Sequence, residues 1–62
     1  MTVNEVKEMI LSKVRNMKAK GRTDDYIRAF YGGMVYSLKV AGVITADDSA
    51  EILNDVFEEI FL

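Results

Sequence analysis

Three threonines divide this chain into three helices before its other features are considered. Thr2 has Glu5 three residues on, Thr45 has Asp48, and Thr23 has Asp24 and Asp25 directly behind it. A threonine hydroxyl accepts from a backbone N–H of the first helical turn. An acid in that turn returns the bond or complements the helix dipole, so each cluster marks a helix start. Gly21 and Gly42 supply the matching stops, because glycine takes the left-handed backbone that closes a helix without steric cost. Val43 is set to touch Leu38 in such a stop. The pattern predicts helices over residues 3–20, 24–41 and 46–61, each about 27 Å long at 1.5 Å per residue. No proline interrupts them, and links this short force antiparallel neighbours. The segments between the threonines share no further identity, so the chain is not a repeat protein.

The outer helices are amphipathic at the helical period. In the first, Val3, Val6, Ile10, Val14 and Met17 form the apolar stripe with Met9 on its flank, and Lys7, Arg15, Lys18 and Arg22 line the other side with Leu11 among them. In the third, Ile52, Leu53, Val56, Phe57 and Ile60 oppose Asp47, Asp48, Glu51, Asp55, Glu58 and Glu59. Phe61 and Leu62 predict a docked last turn. The middle helix breaks this pattern. Ile27, Phe30, Tyr31, Met34, Leu38 and Ala41 share one face, yet Ala29, Gly33, Ser37 and Ala41 recur every fourth residue on a second, uncharged one, beside Tyr26, Tyr36 and Val40. A helix apolar on most sides is a buried helix, which predicts that this one lies in the middle of the assembly and packs on two sides. Gly32 and Gly33 each cost roughly 1 kcal/mol relative to alanine inside a helix. Close packing at Gly33 would offset that cost.

Length sharpens the point. A chain of 62 residues is one domain and buries only about 60% of its unfolded surface, so small domains lean on disulfides, metals or partner subunits. There is no cysteine and no histidine, which removes disulfides, thiolate and imidazole ligands and histidine bases. With half the residues apolar, self-association is the expected remedy, and Ala29, Gly33, Tyr36, Ser37 and Val40 are the expected contact. The fold expected is all-α, three amphipathic helices in an antiparallel bundle completed by self-association. No apolar run reaches the roughly 18 residues of a membrane span, and no basic-then-apolar leader opens the chain. The expected setting is cytoplasmic, with no membrane partner and no cofactor.

The net charge of −2 conceals a polarised chain. Residues 1–22 are net basic, residues 23–44 are balanced, and the last eighteen carry six acids and no base. The basic face of Lys7, Arg15, Lys18 and Arg22 is spaced to follow a nucleic-acid backbone. Four exposed bases on a short helix are more often a solvated face, however, and the acidic helix cancels the attractive field. Those bases also have a second use, facing the acids of another subunit's third helix. The residues from Ala41 to Thr45 have the form of a helix-turn-helix turn, but a reading helix bearing Asp47, Asp48, Glu51 and Asp55 is repelled by phosphate. Nucleic acid is therefore not the expected partner. The acid row of Asp47, Asp48, Glu51, Asp55, Glu58 and Glu59 has two readings, a solubilising surface and a phosphate mimic offered to a protein partner. Helical carboxylates such as Asp55 and Glu59, with no loop or cleft, are poor acid/base or metal groups. Tyr26, Tyr31 and Tyr36 recur every fifth residue and spread around their helix, which suits packing with hydroxyls at the rim.

The segment Tyr31-Gly32-Gly33-Met34-Val35-Tyr36-Ser37-Leu38, followed by Ala41-Gly42-Val43-Ile44-Thr45 and an acidic helix start, resembles segments in short uncharacterised proteins of Gram-positive bacteria and their phages. The resemblance implies an accessory or inhibitory factor that acts by binding, and it brings no site residue with it. The residues and the resemblance together predict a non-catalytic, self-associating protein that works through a protein partner. A nucleic-acid binder using the first helix is the alternative.

Overall fold

The computed structural model describes residues 1–62. Helix α1 spans Val3–Ala19, α2 Asp24–Val40 and α3 Ala46–Phe61, each bound within one residue of the sequence expectation. The ends are built as the threonines and glycines require. Thr2 Oγ1 accepts from Glu5 N–H at 3.1 Å while Glu5 Oε1 accepts from Thr2 N–H at 2.9 Å. Thr45 and Asp48 repeat the exchange at 3.0 and 3.2 Å, and Thr23 accepts from Tyr26 N–H at 3.2 Å. The bonds Glu5 accepts from Thr2, backbone first and side chain second, hold its carboxyl below the ordinary glutamate range, against a small opposing effect of desolvation. Gly21 and Gly42 have φ of 81° and 78°. Arg22 N–H reaches Met17 O and Val43 N–H reaches Leu38 O, which makes both stops of the Schellman type.

Tight stops turn the chain back on itself, and the three helices form an antiparallel bundle about 32 Å long. Each helix touches both of the others, so within the chain α2 does not lie between α1 and α3. A triangular bundle has no central helix. The core is Val6, Ile10, Leu11 and Val14 of α1, Ile27, Tyr31 and Val35 of α2, Ile52 and Val56 of α3, and Ile44 from the second turn. Ile10, Val14, Ile27, Ile52 and Val56 are wholly inaccessible to solvent.

The buried arc of α2 differs from the expected one. It centres on Tyr31 and takes in Val35, which the sequence reading left out, while Phe30 and Ala41 are exposed. Met34 and Leu38 are half-buried beside it. One arc of about 100° to 120° suffices for a helix resting in the groove between two others, so the second face of α2 finds no cover within the chain. Leu11, placed by its neighbours on a basic face, is 3% exposed, because α3 packs against that flank of α1. Leu53, expected to be buried, lies at the edge of its stripe and is 36% exposed. Ser49 was not anticipated inside. It is buried with its hydroxyl donating to Ala46 O at 2.8 Å, a bond that removes the cost of taking a hydroxyl out of water.

Candidate functional site

The α1–α3 seam gathers most of the charge. Lys7 Nζ donates to Asp55 Oδ2 at 3.2 Å with both side chains part-buried, and Arg15 Nη2 lies 3.9 Å from Glu59 Oε2. The pairing of basic and acidic helices, which the sequence offers between subunits as one of three uses of the basic face, forms here within one chain. Lys18 donates to Ile60 O at 3.4 Å, sits 4.0 Å from Asp24 Oδ1 and lies over the Phe61 ring at 5.2 Å. Phe61 packs in turn on Phe57 and Tyr31, so the last turn is docked on its own chain. Leu62 remains 88% exposed, against expectation, because it follows the last helical residue.

These contacts divide each charged row. Of the proposed nucleic-acid face, Lys7 and Arg15 are held by α3 carboxylates, Lys18 is held at the C-terminal end of α3, and Arg22 stacks on the Tyr26 ring at 5.6 Å. The four bases thus each contact a different local partner within the chain. Of the acidic face, Asp48 caps its own helix, and Asp55 and Glu59 pair with α1. Asp47 and Glu51 form no ion pair and face solvent, and Glu58 beside them accepts from Asn54 Nδ2 at 3.4 Å. The open groove between α1 and α3, a cavity of about 400 Å³, is lined by Lys7, Glu8, Leu11, Asp55, Glu58 and Glu59. Its charges are already neutralised in part across the seam, and no three metal-ligating side chains converge anywhere on the molecule.

The outward side of α2 has a different chemistry. Ala29, Gly33, Tyr36, Ser37 and Val40 come together on it and all are exposed, Tyr36 to 63% and Val40 to 68%. Tyr26 and Phe30 extend the same face. The sequence expectation placed Phe30 in the core, and the helical period gives no signal against it, because Phe30 stands at the edge between the Ile27 and Met34 side of the buried arc and the outward face. Charge stays at the margins. Lys39 lies over the Tyr36 ring at 5.3 Å, and Arg28 lies over Phe57 of α3 at 5.4 Å. That second contact identifies the Arg28 and Lys39 flank as the one beside α3. A Cβ built on Gly32 or Gly33 meets nothing within 4 Å, so within the chain no close-packed neighbour offsets the glycines. Ser37 Oγ donates back to Gly33 O at 2.9 Å, which satisfies the hydroxyl and leaves the face without a strong donor.

No helix is long and apolar enough to cross a membrane. No family model, curated protein or solved structure matches this chain.

Proposed function

We propose that this is a non-catalytic protein that acts by binding other protein surfaces, self-associated through α2, as a regulatory or inhibitory accessory factor of bacterial or phage origin. The observation that carries the reading is the outward side of α2. A row from Tyr26 to Val40 with no charged residue along its centre, two tyrosines and a phenylalanine exposed on it, and no cover within the chain is the composition of an interface core, where aromatics are enriched and charge is depleted. The acids left free on α3, Asp47, Glu51 and Glu58, offer a second surface suited to a basic protein partner, because long-range attraction steers such encounters.

Capture from a lysate of the source cell tests this. Wild-type protein is expected to retain a specific protein, and the triple variant Asp47→Lys, Glu51→Lys, Glu58→Lys is expected to lose it with helicity unchanged. Retention of nucleic acid instead, with affinity falling steeply as salt rises, overturns the reading in favour of a basic-face binder.

A further inference from the structure

We infer that the outward face of α2 is covered by the same face of a second copy, in an antiparallel two-fold contact with its axis at Gly33. The inference rests on the reading of α2 as the self-association face and specifies the geometry of that contact. An isologous contact requires each residue to meet a position reflected through the axis, and the face meets this demand about Gly33. Tyr36 lies three residues after Gly33 and Ala29 four before it; Phe30 lies three before and Ser37 four after. In an antiparallel pair about this axis, Tyr36 of one copy is within one residue of level with Ala29 of the other, on the flank toward α3. Phe30 is likewise level with the second copy's Ser37 on the opposite flank. Each large ring thus meets a small residue. Gly33, whose outward side is open, lets the backbones approach at the crossing, and Tyr26 meets the second copy's Val40 and Ala41 at the ends.

Charge decides the orientation. Asp25 forms no ion pair in the chain and lies on the α3 flank of α2, and Lys39, on the same flank, has no acidic partner. The two-fold axis keeps the two α3 flanks on one side and brings Asp25 within two residues of level with the second copy's Lys39, about 3 Å along the axis at 1.5 Å per residue. The contact occurs twice by symmetry. A parallel pairing, whose two-fold axis runs along the helices, would put the two α3 flanks on opposite sides of the contact and leave Asp25 without the second copy's Lys39.

Sedimentation at micromolar concentration is expected to give the mass of a dimer. Gly33→Leu and Tyr36→Lys, both at exposed positions that leave the core untouched, are expected to give monomers of unchanged helicity. Asp25→Lys is expected to weaken the dimer about ten-fold, since two attractive contacts become repulsive, and Asp25→Lys with Lys39→Asp in one chain is expected to restore it. A parallel dimer would leave Asp25→Lys without effect, and that result overturns the proposal. The native chain has no cysteine, so Gly33→Cys is expected to cross-link under oxidation. Tyr26→Cys is not, because its two copies would lie about 21 Å apart along the axis, beyond disulfide reach. A wild-type chain that stays monomeric yet still captures a partner through Asp47, Glu51 and Glu58 overturns the two-fold contact and self-association through α2, and leaves only the binding of a protein partner through α3 standing.

Discussion

The α1–α3 seam and the outward face of α2 are both long strips of helix surface, yet they use opposite chemistry. The seam is charged and internally matched, Lys7 to Asp55 and Arg15 to Glu59, with Leu11 buried beneath. The α2 face is uncharged along its centre, and within its own chain only Arg22 and Lys39 touch it, over the Tyr26 and Tyr36 rings. Charged rims favour the correct neighbour over a wrong one more than they add stability, so the seam directs α3 to α1. A solvated face without charge gains nothing from water that a polar one would not gain better. Its composition supports the proposed contact surface, whereas the seam's makes sense within the monomer.

Substitutions beneath and upon these strips should separate the two roles. The largest effect is expected in the shared core: Ile10→Ala or Ile52→Ala, at positions with no exposure, should cost about 2–5 kcal/mol, which for a domain this small shows as loss of the cooperative urea transition. The same truncation at Tyr36, on the α2 face, should move monomer stability by no more than about 0.5 kcal/mol. Comparable loss there would mean the face is part of the monomer's core and would dissolve the contrast.

Glycines give the next largest effects, with opposite signs. Gly42→Ala, at φ 78°, should destabilise by about 1–2 kcal/mol, because an L side chain in that conformation crowds its own carbonyl. Gly32→Ala, with nothing in reach of the new methyl, should raise the urea midpoint by about 1 kcal/mol in equivalent stability. A loss at Gly32 would reveal a contact on α2 that the single chain does not show.

The seam itself should prove weak. A double-mutant cycle on Lys7 and Asp55 should give a coupling of about 1 kcal/mol or less that shrinks with added salt; a larger, salt-insensitive value would make the seam a stabilising feature. Smallest is the pH effect of the first cap. The Glu5 pKa is lower in the folded chain than its ordinary 4.5, so its contribution is present above that pH and is lost as pH falls through the lower folded value. The advantage of wild type over Glu5→Gln in urea is expected to vanish on acidification below about pH 4.5, and an advantage persisting in acid would mean that the neutral carboxyl caps equally well.

Local sequence determined the number of helices, their bounds and both left-handed stops, because capping bonds run between residues three to five apart and need no partner from elsewhere. The apolar period likewise marked the centres of the stripes on α1 and α3, at Ile10 and Val56. The members of the candidate α2 face other than Phe30 were legible too, since one helix carries them all. Only the tertiary structure decided which flank of each stripe is covered. That choice depends on the side of the α1–α2 hairpin on which α3 settles, and the helical period is blind to it. With α3 beside the Lys7, Leu11 and Arg15 flank of α1, Leu11 enters the core, the basic row is divided among local partners, and Val35 replaces Phe30 in the buried arc of α2. Packing three helices around one axis leaves each a single covered arc, and that geometry places the small-residue face of α2 on the outside.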